Sequence, residues 1–408
     1  MIDRRSDSYL LEFSNQESFL GEVRDMDSNS TWLQGISSRS LVVEAVEGPL
    51  LAREYAELHG LDYVTAEDTG KHQQLALSFM DPHGKTNYGF LRETAYEGLA
   101  YTAAGTGGAS LPLLEPFELE QDINFRLHAM NVKDKKLLLL DRYGKISAIH
   151  SGADSGYAVM PITELLECSM DMLKRRFGTP VFHYGMNSHD VTTAIWTLPE
   201  KQEELLSKYV SALEKCGVID AASSGIFPIN FMPAVQFISS DTSNSSASLI
   251  PIFLKGNAPI RFTAGVAVKH INKVRSGIQL SGVELFKEEI EDGIYSNFME
   301  MSEVASKLIV IHIDHPERCL LSLAKRYGIG RKYVENARQM IKQYSTGRAY
   351  VTAYDIYMCF STVIDDLSQD NSVNPKTVNT ISESIYRMIG ADWSYHNLND
   401  DPACNPKD

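Results

Sequence analysis

Apolar positions in Ser40–Ala45 (SLVVEA) fall in a short alternating run that predicts a strand, whereas those of Leu50–His59 (LLAREYAELH) recur at helical spacing up to a stop at Gly60. Farther along, Leu91–Ala104 and Pro116–Met130 read as two helices separated by the glycine-rich Gly105–Leu111. A hairpin follows: Lys136–Leu140 (KLLLL), the turn Asp141–Gly144 (DRYG), then Lys145–His150 (KISAIH). Pro161–Phe177 has the amphipathic spacing of a helix.

From about 179 to 275 the pattern changes. Val181–Tyr184, Val191–Trp196, Ala234–Ile238, Ser248–Phe253 and Pro259–Thr263 are enriched in β-branched and aromatic residues, and only Glu200–Cys216 interrupts them as a helix. Beyond about 280 the spacing is helical up to Gly390. The expected fold class is therefore α+β, a mixed strand-rich body with a helical C-terminal third. The turn-rich Asp81–Asn87 (DPHGKTN) reads as a boundary. It divides an acidic N-terminal α/β segment (1–89) from an α+β core (90–280), followed by a helical region (281–390) and a loose polar tail (391–408).

The order of elements resembles a known family. The residues that carry the likeness are LRETAYEGLAYTAAGTGGASLP (Leu91–Pro112), KLLLLDRYGKISAIHSGADSGYAVMPITELLE (Lys136–Glu167), FHYGMNSHDVTTAIWTLPE (Phe182–Glu200), PAVQFISSDTSNSSASLIPIFLKG (Pro233–Gly256) and RAYVTAYDIYMCFSTVI (Arg348–Ile364). Over roughly 90–365 this resembles the phage/plasmid-like protein family, a domain of unknown function found in bacteriophages and mobile elements. Members often carry a Cys-Asn-Gly stretch after the middle strands, where this chain reads RFTAGVAVKH (Arg261–His270). The resemblance implies a phage or plasmid setting in a bacterial cytoplasm and brings no active site with it.

Composition excludes several classes. The chain has 408 residues, 43% hydrophobic and 22% charged, which rules out collagenous, fully disordered and disulfide-scaffold proteins. Five scattered cysteines without a CxxC pair fit reduced thiols, and no apolar run approaches a membrane span, so a cytoplasmic protein with no membrane partner is expected. The net charge of -15 argues at first against a polyanionic partner.

Its distribution changes that inference. Residues 1–120 hold 20 acidic and 8 basic residues (−12), and residues 353–408 hold 9 and 3 (−6). Between them, Thr242–Val283 has no carboxylate and five cations: Lys255, Arg261, Lys269, Lys273 and Arg275. Arg318–Arg348 has eight (Arg318, Lys325, Arg326, Arg331, Lys332, Arg338, Lys342, Arg348) against Glu335, with Tyr327, Tyr333 and Tyr344 interleaved. Cations release counterions from phosphate and tyrosines stack on unpaired bases, so these blocks suit nucleic acid. The competing reading is a solvated helix face, or a partner for the acidic N-terminal third.

The second block also has the spacing of a helix-turn-helix. Ala324 would pack in a first helix, Gly328 would make a left-handed turn, and Val334 would anchor a second helix presenting Arg331, Lys332, Glu335 and Arg338. A plain helical hairpin has the same pattern.

Other constellations have bland alternatives. His312, Asp314 and His315 could begin a divalent-metal site, or Asp314 and His315 could cap a helix opened by Pro316. His183, His189 and Asp190 could form a triad or line a turn between strands. Gly105–Ser110 lacks the GK[ST] ending of a phosphate loop and reads as a helix stop. Ser239–Ser248 could hold a ligand or be a solvated hairpin loop.

The expectation is a non-enzymatic phage or plasmid protein handling nucleic acid, single-stranded DNA first, in replication or recombination. It needs no cofactor and could form a homo-oligomer. Two alternatives stand beside it: an interaction protein binding a host or phage protein, as an antidefence factor or virion component, and a metal-dependent enzyme.

Overall fold

The computed structural model describes residues 4, 6–7, 9–62, 75–105, 111, 114–129, 133–151, 157–215, 231–242, 245–256, 258–271, 273–275, 278–346, 348, 350–370, 373 and 375–398. The chain begins β1 (Leu10–Phe13), α1 (Gln16–Ser28), β2 (Ser30–Ser37), β3 (Val42–Ala45), α2 (Gly48–His59), β4 (Leu75–Met80), β5 (Thr86–Leu91), α3 (Glu93–Ala104), α4 (Pro116–His128), β6 (Lys136–Arg142) and β7 (Lys145–Ser151). The middle is α5 (Ile162–Phe177), β8 (Val181–Ser188), β9 (Thr192–Thr197), α6 (Gln202–Lys215), β10 (Met232–Ser239), β11 (Ala247–Lys255), β12 (Ala258–Ile260), β13 (Val266–Val268), β14 (Lys273–Arg275) and β15 (Ile278–Leu280). The last part is α7 (Gly282–Ile309), β16 (His312–Ile313), α8 (Pro316–Arg326), α9 (Glu335–Ser345), β17 (Val351–Thr352), α10 (Ala353–Gln369), α11 (Pro375–Arg387) and α12 (Trp393–Leu398). The fold is α+β with a helical C-terminal part.

Two large sheets organise the strands. One has six, in the order β2-β6-β7-β5-β4-β3, antiparallel except where β5 runs parallel to β7. The other runs β1-β8-β9-β10-β11-β12, with β13 also paired to β11. The boundary expected at residue 89 falls inside β5, and Asp81–Asn87 is not a linker. It leads through the β4–β5 hairpin turn, where the Asp81 carboxylate accepts from the His83 and Lys85 amides at 2.9 Å. The first residues are shared between the sheets, since β1 pairs with β8 while β2 pairs with β6.

Each sheet buries one face under helices. Leu137, Leu139, Ile146 and Ile149 on β6 and β7 meet Leu99 of α3 and Leu119, Ile123 and Leu127 of α4. The α3 helix lies so close over β7 that a Cβ at Gly98 would sit 2.0 Å from the Ile149 carbonyl oxygen. The free edge of β3 is covered by α4: the Asn124 amide takes the Val43 N–H (2.9 Å) and donates to the Val43 carbonyl (2.7 Å), and Glu120 accepts from the Ala45 N–H (2.7 Å). Side chains thus stand in for the next strand and block edge pairing.

The largest core lies on the second sheet, where Val235, Phe237, Leu249 and Phe253 pack against α5, α6 and the 28-residue α7. A capping box between Ser281 and Glu284 opens α7. The same core continues without a break into α8, α9 and α10. No helix among the described residues is long and apolar enough to cross a membrane.

Candidate nucleic-acid interface

The short ribbon of β16 and β17 (His312 opposite Thr352, Ile313 opposite Val351) brackets a helical hairpin. Its first helix, α8, starts at Pro316, where the proline ring fits the helix start and forfeits no needed N–H. The preceding amides of Asp314 and His315 donate to Asn397 Oδ1 of α12 at 3.0 and 3.1 Å. His315 is the N-cap residue but its side chain makes no capping hydrogen bond; Asn397 instead holds the two amides that lead into the helix. Ser322 of α8 also bonds His396 Nδ1 at 2.7 Å, so α12 clamps the first helix from outside.

The turn has the geometry its spacing predicts. Ala324 is buried, Gly328 is left-handed at φ 71°, and the Ile329 amide returns to the Ala324 carbonyl at 2.8 Å. Val334, Ala337 and Ile341 are buried on the inner side of the second arm. One detail differs: α9 begins at Glu335, and Arg331–Tyr333 form a tight 3₁₀ turn before it. Arg331 and Lys332 therefore lie on the turn, not on the second helix.

Lys325, Arg326, Arg331, Lys332, Lys342 and Arg348 are exposed on this hairpin. Arg338 is not, because its guanidinium is half-buried against Glu335 at 3.0 Å. The tyrosines are already engaged: Lys332 lies over Tyr333 (4.4 Å), Arg348 over Tyr344 (3.9 Å), and Tyr350 stacks on His312 (3.9 Å). Tyr327 donates to the Arg387 carbonyl.

The described side chains of the other cationic block do not supply a matching set. Arg261 pairs with Glu383 of α11, lies 4.3 Å over Tyr386, and donates to the carbonyls of Thr263 and Ala264. It is an internal brace. Lys255 is half-buried at the end of β11, and Lys269 is exposed beyond β13. Lys273 and Arg275 lie on the β14–β15 ribbon, and their side chains lie outside the described residues.

His312, Asp314 and His315 do not assemble a metal site. No group of three or more His, Cys, Asp or Glu side chains among the described residues could hold an ion. The same applies to His183, which sits on β8 at an irregularity in its pairing, away from the His189–Asp190 turn. Of the glycine-rich loop, Gly105 caps α3, and 106–110 lie outside the described residues.

The densest buried charge was not legible as a site. Arg92, Arg142 and Lys145, all essentially without solvent access, lie where the first sheet meets the ends of the second. Arg142 pairs with Asp241, and Arg92 and Lys145 both reach Asp7 Oδ1, at 3.0 and 3.5 Å. Beside them Trp32, His150, Tyr157 and His270 form a column, with the His150 and Tyr157 rings 4.2 Å apart. The Asp241 carbonyl contacts His150 Nε2 (3.0 Å) and accepts from Tyr157 (3.3 Å). The two loops read from sequence as hairpin turns meet here, since Thr242 donates to the Asp190 carbonyl. Residues 243–244 of the second lie outside the described residues.

Burial governs protonation at this seam. It pushes His150, His189 and His270 below their usual 6.5, and Arg92, Arg142 and Lys145 act in the same direction on His189. Burial also lowers Arg92, to about 10, which leaves it charged at neutral pH. Each histidine takes up a proton less readily folded than unfolded, where its value is near 6.5, so stability falls as pH drops below 6.5. The expected slope is up to about 1.4 kcal/mol per pH unit for each. Urea unfolding at pH 7, 6 and 5 measures it. His189→Gln should flatten the dependence, and an unchanged slope would contradict the assignment for that residue.

Comparison with family models, with curated proteins and with solved structures found no match for this chain.

Proposed function

We propose that this protein binds DNA through the α8–α9 hairpin, with Arg331 and Lys332 on the turn and Lys325, Arg326, Lys342 and Arg348 around it contacting the phosphate backbone. The observation that carries the reading is six exposed cations on a helical hairpin whose turn is left-handed at Gly328 and packed on Ala324 and Val334. A role in replication or recombination in a host cytoplasm extends that reading; it rests on the order of elements alone, since no family model matches the chain.

The engaged tyrosines shift the preferred form of DNA. A base stacks on an open ring, and Tyr333, Tyr344 and Tyr350 each already carry a cation or an imidazole from their own chain. A helical hairpin packed against α10 and α12 suits a duplex better than a single strand. Fluorescence-anisotropy titration of a labelled duplex and its single strand, at low and moderate salt, tests this. Duplex affinity should exceed that for the strand and fall steeply with salt. Salt-insensitive binding, or none, would remove the proposal.

A protein partner is the second reading, favoured by α4. Phe117 and Phe125 share the face of that helix turned away from the core, and they are 61% and 74% exposed. A sizing measurement on protein captured from host extract separates this reading from the first.

A further inference from the structure

The two arms of the hairpin differ in what they leave to solvent. In α8 every residue from Cys319 to Ala324 is buried, and only Lys325 and Arg326 at its end are exposed. In α9 the core takes one side: Ala337 and Ile341 are buried with Val334 before them, and Met340 and Tyr344 pack against the same cluster. At 3.6 residues per turn the opposite arc carries Asn336, Gln339, Lys342 and Gln343, all exposed.

That arc has no carboxylate. The one acid of α9, Glu335, is held beside it by Arg338 at 3.0 Å. Asn336 is already engaged, since its Nδ2 donates to Asp366 of α10 at 2.8 Å. Gln339 and Gln343 lie one turn apart, and neither side-chain amide makes a hydrogen bond among the described residues. Cations frame this pair: Arg331 and Lys332 stand before the start of α9, Arg348 after its end, and Lys342 on the arc itself, all exposed. A DNA duplex has the complementary arrangement, with phosphates along both rims of the major groove and neutral base edges on its floor.

We propose that α9 enters the major groove of duplex DNA and that Gln339 and Gln343 read adenine there, so that binding selects sites with A·T pairs. The inference rests on the reading of the hairpin as a DNA-binding unit and adds what that unit recognises. A carboxamide donates and accepts side by side in one plane, which matches the N6 donor and N7 acceptor of adenine. Four residues along a helix span about 6 Å, so the two amides meet base pairs about two steps apart. The surrounding cations hold the backbone and set the register in which the glutamines read.

Selection from a randomised duplex library tests this, with the full chain and with Gln339→Ala/Gln343→Ala. The parent should enrich a motif containing adenine and bind it about tenfold or more tighter than a scrambled duplex of equal length. The variant, altered only on the exposed arc, should melt as the parent does and bind the selected and scrambled duplexes about equally. The parent alone carries a second test: 7-deazaadenine at the selected positions removes the N7 acceptor and should cost about tenfold in affinity, an effect absent in the variant. A parent that binds duplex without enriching an adenine-containing motif overturns the proposal and leaves the DNA-binding reading standing. A variant that keeps the parent's selectivity, or a deazaadenine effect of equal size in both proteins, does the same. Absence of duplex binding by the parent overturns both.

Discussion

Asp241→Ala is expected to destabilise the protein by about 3–5 kcal/mol, because it strands the Arg142 guanidinium in a site with almost no access to water. The pair spans the seam, from the end of β6 to the loop after β10, so the cost falls on the contact between the two sheets. Arg142 keeps one other bond, from Nε to Ser30 Oγ at 2.8 Å, which cannot neutralise its charge. Removing both partners should cost far less than removing one: Arg142→Met with Asp241→Leu should recover most of the loss. Urea titrations of the single and double variants measure this. Equal losses in the two would mean that packing, not an uncompensated charge, sets the cost.

Gly98→Ala should cost about 3 kcal/mol or more, a large effect for one methyl group. The obstacle is the backbone carbonyl of Ile149, 2.0 Å from the added carbon, which no rotamer change can relieve. Either α3 lifts off β7 and uncovers the Leu99 side of the core, or β7 shifts and disturbs its pairing with β6. Thermal unfolding followed by circular dichroism should show the loss. An unchanged transition would mean that helix and strand are farther apart than described.

Local features were legible in the sequence because neighbours along the chain determine them. Gly60 ends α2 in the left-handed conformation, and the DRYG turn joins β6 to β7. The hairpin at Ala324, Gly328 and Val334 belongs to the same class, since its offsets are short and each demands one residue type. The start of α9 slipped by one turn because Arg331–Tyr333 coil more tightly than an α-helix.

The seam was illegible for the opposite reason. Asp7, Arg92, Arg142, Lys145 and Asp241 are spread over more than half of the chain and sit within ordinary strand, loop and helix-start patterns. Only the pairing of distant segments brings them together. Arg261 was misread for a related reason, since its partner Glu383 lies 122 residues away on α11. A cation in a carboxylate-free stretch of sequence can still have an acidic neighbour in space. Charge arithmetic by segment therefore located exposed cations well on the self-contained α8–α9 unit and poorly on the second sheet.

The most direct measurement is the affinity for a short labelled DNA duplex of the unsubstituted chain and of Arg331→Glu/Lys332→Glu, across a salt series. Both side chains are exposed on the turn, so the variant should melt as the parent does. DNA binding through this hairpin predicts an affinity loss of about tenfold or more at low salt and a salt slope smaller by about two. Equal affinity and equal slope for the two proteins would contradict it.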